Sequence, residues 1–396
     1  MRRGIWGCIC RLPAWVSLCL ALSVVSANGQ EKSAAPAAGR TTAGPQATVA
    51  GATASTEEEY RKFEELASFL RRRNAAQYAI STPKGIDEGS YVTIGGIEQW
   101  VTIRGWDRDN PVLLFVHGGP GDVTNPWSFG LFDSWEKYFT VVQWDERGSG
   151  RTLRKSGPGI APTITVERMA QDGIELTEYL RKHLGKEKVI VVAHSFGSIL
   201  GLRMVKARPD LIYAYVGTGQ VGDNSKNFAV AHEALLKKAK AVQDERAVAE
   251  LSHVAPPYNS GDGFRAVHKW ANAFEGADQF LYGTLGLALV APGNSVQDFN
   301  DSADGEMLSA EQLVPQTKSL GPKELGLEFS VPIFVFQGEE DFTTPTSLAR
   351  QYFDLVKAPR KEFVAIKGAG HFAVFMHSGE FLGELVSRVR PLAVAR

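Results

Sequence analysis

An α/β fold on a mostly parallel sheet, with a helical insertion between two of its strands, is predicted by three observations. Short apolar runs at 111 to 116, 139 to 144, 189 to 193 and 211 to 216 have the length and β-branched content of strands buried on both faces. Helical patterns separate them, the clearest running from Thr165 to Leu184 with Gly185 as its stop, so the strands are joined by right-handed crossovers. From Asp223 to Glu328 the alternation ceases and the chain reads as largely helical, before strand signals return at 331 to 336 and 362 to 366.

In chain order, the first element is a leader. Arg2, Arg3 and Arg11 precede an apolar run from Leu12 to Val25 that ends in Ser26-Ala27, the pattern of a secretory signal peptide over 1–27. A retained membrane anchor is the competing reading, although the run is shorter than the ~20 residues of a comfortable span. Residues 28–55 are Ala, Gly, Thr, Pro and Gln with almost no large apolar side chain, as in a disordered linker. Thr56 and Glu59 form a capping-box pair. With Tyr60, Phe63, Leu66 and Leu70 at helical spacing and Arg71 to Arg73 in the last turn, they predict an amphipathic helix.

Residues 90 to 94 and 97 to 103 alternate about Gly95-Gly96, a hairpin signal. The core is therefore expected over 56–222 and 329–396, with the helical cap at 223–328. Within the cap, Ala229 to Lys240 and Asp244 to His253 are its clearest helices, and Pro256-Pro257 interrupts it. A final helix is expected from about Gly379 to Val389.

Composition narrows the function. The chain has 396 residues, 44% of them hydrophobic, enough for one large core with an accessory part. Its three cysteines, Cys8, Cys10 and Cys19, all lie in the leader, so the exported body has no thiol chemistry. Taking Arg2, Arg3 and Arg11 from the 43 basic residues leaves 40 against 44 acidic ones. That balance argues against nucleic acid or an anionic membrane surface, and favours a small-molecule or short-peptide substrate. The expected location is secreted or periplasmic. No metal or organic cofactor is called for, and the oligomeric state is left open.

The chemistry centres on Val192-Ala193-His194-Ser195-Phe196-Gly197. A serine flanked by small residues between a strand and a helix is the pattern of a nucleophile elbow. Serine hydrolysis also needs a base, a carboxylate to orient it and amides to hold the oxyanion. His371 stands in Gly368-Ala369-Gly370-His371-Phe372 directly after a strand; His232, His253 and His268 fall in the cap and are expected to face solvent. Asp341 follows the strand at 331 to 336 and is favoured over Glu339 and Glu340 for its place at the loop tip. In His117-Gly118-Gly119-Pro120-Gly121 the glycines free the main chain, so the Gly119 amide can join that of Phe196 as an oxyanion hole. No phosphate-loop string follows this turn, which makes nucleotide binding a poor reading. Asp145, Arg147 and Arg151, in the segment after Trp144, are expected to brace loops, with Asp145 pairing to Arg147 or Arg151.

Together the His117 to Gly121 turn, the Asp145 to Arg151 segment, Ser195, Asp341 and His371 resemble the proline iminopeptidase family of α/β-hydrolases, from about Gly89 to the end of the chain. The resemblance implies an α/β-hydrolase fold with a helical cap, Ser195 as nucleophile, Asp341 and His371 as its relay, and removal of an N-terminal residue from short peptides. It also implies that Gly118 borders the substrate and that cap carboxylates hold the substrate's amino terminus. Asp223, Glu233, Glu275 and Asp278 are the possible counterparts, with Glu233 the one selected. The chain departs from the family in having Ala193 for Gly, Phe196 for Trp and Glu146 for Gln. These changes bear on the substrate, so an esterase or lactonase is the rival with the same triad, and a weakly catalytic binding protein the rival of another class.

Overall fold

The computed structural model describes residues 49–254 and 261–394. The leader, most of the linker and Pro256-Pro257 lie outside them. The first helix, α1 (Val49–Gln77), begins upstream of the Thr56 expected to cap it and takes in the end of the segment expected to be linker. Good helix formers such as Ala50, Ala52 and Ala54 need no cap signal to continue a helix towards the N-terminus.

Residues Ala75–Arg396 form one compact unit around an eight-stranded sheet. Its strands are β1 (Ile86–Ile94), β2 (Ile97–Gly105), β3 (Val112–Val116), β4 (Thr140–Trp144), β5 (Val189–His194), β6 (Ile212–Thr218), β7 (Ile333–Gly338) and β8 (Lys361–Ile366). They lie in the order β1-β2-β4-β3-β5-β6-β7-β8, antiparallel at β1-β2 and β2-β4 and parallel elsewhere. The hairpin turns on Gly95 and Gly96, both at positive φ, which glycine adopts without a Cβ penalty. All residues of β3, β4 and β5 are buried, as their unbroken apolar runs require of central parallel strands.

The helices that connect the strands are α2 (Asn125–Leu131), α3 (Gly150–Ser156), α4 (Val166–Leu184) and α5 (Gly197–Ala207). Thr165 caps α4 through the Arg168 amide, and Gly185 ends it in the left-handed conformation, as the sequence signals. Between β6 and β7 the chain leaves the sheet to build the cap from α6 (Asn227–Ala241), α7 (Glu245–His253), α8 (Gly261–Glu275), α9 (Ala277–Val290), α10 (Val296–Thr317) and the short α11 (Pro322–Leu325). The cap has its own apolar cluster, including Ala231, Leu235, Leu251, Val267, Trp270 and Ala271. After β7 come α12 (Thr346–Leu355), α13 (Ala373–Met376) and α14 (Ser378–Glu384), the last continuing as a π-helical stretch over Leu385–Val389. Every parallel strand therefore points its carboxyl end, and the loop that follows, towards the edge where ligands gather in such sheets.

Candidate active site

Four loops at that edge converge. Ser195 directly follows β5 with φ at 54°, a left-handed conformation that a non-glycine residue adopts only under constraint. The constraint is close packing: a Cβ on Gly197 would lie 2.3 Å from the His117 carbonyl oxygen. Ser195 Oγ lies 3.0 Å from His371 Nε2, and His371 Nδ1 lies 3.0 Å from one Asp341 carboxylate oxygen and 3.2 Å from the other. The sequence order serine, acid, histidine thus folds into a continuous hydrogen-bonded chain.

Asp341 is held from several sides. It accepts from the Thr344 amide and hydroxyl and from Gln337 Nε2, each at 2.8 Å. Glu339 and Glu340, its rivals in the sequence, are exposed, and Glu340 pairs with Lys238. His371 is buried. Burial opposes charge on its ring, but the charge and hydrogen bond of Asp341, with the charge of Glu275, outweigh this and raise its pKa above the ordinary value. His194, kept neutral by burial and by His371, donates from Nε2 to the His371 carbonyl at 3.1 Å.

The glycine turn passes directly beside the serine. A Cβ on Gly118 would come 2.9 Å from the Ser195 Cβ, and Gly119, at φ 112°, is exposed. His117 is fully buried, and burial lowers its pKa to about 4. Its neutral ring donates from Nδ1 to the Gly118 carbonyl at 3.0 Å and accepts the Glu146 amide on Nε2 at 3.3 Å. This side chain fixes the path of the turn. The segment after Trp144 is a brace, as expected: Asp145 accepts the Arg151 amide at 2.9 Å and Asn125 Nδ2 at 2.6 Å. Arg147 pairs with Asp172 at 2.7 Å, not with Asp145.

The cap corrects two expectations. Glu233 is exposed on α6 and outside the hydrogen-bonded network around Ser195, because the buried face of that helix is carried by Ala231, Leu235 and Ala239. His268 is half-buried and not fully solvated: it packs on Phe264, and burial together with the charge of His371 lowers its pKa to about 4. Of the other cap carboxylates, Asp223 is paired with Lys226 at 3.0 Å and Asp278 is exposed. Glu275 accepts main-chain amides from the loops that carry Asp341 and His371.

A different pair lies beside the glycine turn. Burial and the neighbouring Glu306 charge push Asp122 up to about 7, and burial raises Glu306 as well, although Glu306 keeps access to solvent. Asp122 is half-buried and Glu306 exposed, so the pair stands at the protein surface within reach of water. The main chain places them: a Cβ on Gly121 would meet the Gly305 carbonyl oxygen at 2.4 Å. Neither carboxylate is legible in the sequence, because their approach depends on how α10 settles on the turn. Among the described residues, no group of three or more His, Cys, Asp or Glu side chains is arranged to hold a metal ion.

A strained serine at a strand-to-helix turn, hydrogen-bonded to a histidine at the edge of a parallel sheet, defines a serine hydrolase. The chain belongs to the alpha/beta hydrolase fold family, whose model matches residues 111–378. It is 27% identical over 290 residues to a Bacillus subtilis (strain 168) protein named "Probable aminopeptidase YbaC", covering 71% of this chain and 89% of that one. It is 21% identical over 322 residues to the proline iminopeptidase of Neisseria gonorrhoeae, covering 76% and 96%. Among solved structures, a proline iminopeptidase-related protein of Thermus thermophilus superposes with a TM-score of 0.56 at 20% identity, over 78% of this chain and 100% of that one.

Proposed function

We propose that this enzyme is an exported aminopeptidase that releases the N-terminal residue, proline among the candidates, from short peptides. Ser195 attacks the scissile carbonyl while His371 takes its proton. Asp341 holds the histidine tautomer and stabilises the imidazolium, and the Gly119 and Phe196 amides receive the oxyanion. His371 then returns the proton to the leaving amine, and water, activated by the same histidine, releases the acyl group.

The observation that carries the peptide reading is the pair Asp122 and Glu306 beside the glycine turn that passes Ser195. A half-buried carboxyl facing a second negative charge gains from a cation placed between them, and a free amino terminus supplies one. A simple ester has no group to match them. The leader at 1–27 supports export.

The test compares a proline arylamide, its N-acylated form and a short p-nitrophenyl ester. Turnover is expected for the free arylamide, with the N-acylated form at least ~10-fold slower, the weight of one charge-assisted contact. Glu306→Gln is expected to lower kcat/KM for the free arylamide more than for the ester, and Ser195→Ala to abolish both, by ~10³-fold or more. Rapid ester cleavage with no arylamide turnover would overturn the aminopeptidase reading in favour of an esterase.

A further inference from the structure

We propose that Glu275 is a positioning residue of the triad: one cap carboxylate ties the loop carrying Asp341 to the loop carrying His371, so that triad geometry depends on the seating of α8. The inference rests on the reading of Ser195, His371 and Asp341 as the triad. Glu275 Oε1 accepts the Phe342 amide and Oε2 accepts the His371 amide, both at 2.7 Å. One donor belongs to the residue after the acid and the other to the histidine itself. Among the described residues, no other side chain accepts main-chain amides from both loops.

Two independent features support the tie. Phe342 is buried in the apolar cluster of the cap, with Leu235, Trp270 and Ala271, so the acid loop is keyed to the cap by side chain as well as by amide. Gly370 leaves the room: a Cβ there would lie 2.5 Å from Cγ and Oε2 of Glu275. Gly370 is thus a seat for this carboxylate and not only a flexible point in the loop.

Chemistry explains why a carboxylate is used. Two converging N–H groups need two acceptors, and an amide side chain would turn an NH₂ towards one of them. The charge also faces the imidazole and favours its protonated form during turnover. The titratable groups facing His371 are Asp341 from the acid loop, Glu275 and His268 from α8, and His194 from β5; those facing Glu275 are Asp341 and His371. Burial and the Asp341 charge push Glu275 up to about 7, so acidification weakens its hold on both amides as well as protonating His371.

The test uses Glu275→Gln and Gly370→Ala in the full chain, with pH profiles of kcat and KM for both the proline arylamide and the p-nitrophenyl ester. In Glu275→Gln, kcat is expected to fall roughly 10-fold or more for both substrates, the effect of one lost buried hydrogen bond, with KM within about 2-fold. The acidic limb of kcat/KM should also move to lower pH, because His371 loses a neighbouring negative charge. Gly370→Ala keeps the carboxylate but displaces it, and should reproduce the fall in kcat even if Glu275→Gln folds poorly. Unchanged kcat and an unmoved acidic limb in Glu275→Gln overturn the proposal, as does a rise in KM confined to the arylamide, which would make Glu275 a substrate ligand. Full activity in Ser195→Ala would instead remove the triad reading beneath it.

Discussion

Replacing Gly197 by alanine tests the physical basis of the elbow. The new Cβ would lie 2.3 Å from the His117 carbonyl oxygen and 2.5 Å from that of Val116. Comfortable contact begins near ~3.5 Å, so one main chain must retreat by roughly 1 Å, and neither obstacle is a flexible side chain. Gly197 opens α5 directly after Phe196, whereas His117 opens the turn that carries Gly119. A retreat therefore separates the two proposed oxyanion amides. Misplacement of about 1 Å costs on the order of 10²-fold in turnover, and overpacking of this kind costs about 1–3 kcal/mol of stability. The expected result is a kcat loss near 10²-fold and a Tm lower by several degrees, read with the ester and by thermal unfolding. Gly283→Ala, where nothing lies within 4 Å of the added carbon, is the control and should match the unaltered enzyme. If Gly197→Ala keeps turnover within about 3-fold at an unchanged Tm, close packing is not what sets the serine.

Two further outcomes follow from buried titratable groups near the turn. His117 has its folded pKa lowered to about 4 from 6.5, so it contributes stability that is complete above pH 6.5 and lost as pH falls through 4. A depression of that size is worth about 3 kcal/mol, so the stability advantage over His117→Gln should shrink by that amount between pH 6.5 and 4 in denaturant titrations; a constant difference would refute it. Glu146 is fully buried, and among the described residues neither carboxyl oxygen has a hydrogen-bond partner. Burial, then the charges of Asp172 and Asp145, raise its pKa well above 4.5, so its contribution is present below pH 4.5 and drains away as pH rises. Glu146→Gln should raise Tm progressively above pH 4.5, and a variant equally or less stable at pH 8 would contradict that assignment.

What the sequence makes legible is what local chemistry dictates. β5 is an unbroken apolar run, Thr165 and Gly185 mark the ends of α4, and Ser195, Asp341 and His371 each follow a strand of the same sheet, so their order alone brings them to one edge. The supporting residues are another matter. Thr344 and Gln337 hold Asp341, yet a threonine three positions after an aspartate and a glutamine at a strand end are ordinary local features. Glu275, Glu306 and His268 depend on where cap helices settle, and no periodicity reports that. Glu233, drawn from the same pool as Glu275, stands exposed instead, because a helix carries carboxylates on its wet face by default.

The departures from the family pattern can now be weighed one by one. Ala193 stands where glycine is usual, and its methyl is accommodated by Gly201 on the facing helix, where an added Cβ would lie 2.9 Å from it. Phe196 is nearly buried and belongs to the main apolar cluster with Ile199 and Leu200. Its ring is therefore taken up by the core, which leaves its main-chain amide as the group proposed to meet the oxyanion. Under the aminopeptidase proposal, selection falls to Asp122 and Glu306 beside the glycine turn, which makes the free amine of the substrate, and not the identity of residue 196, the variable to test.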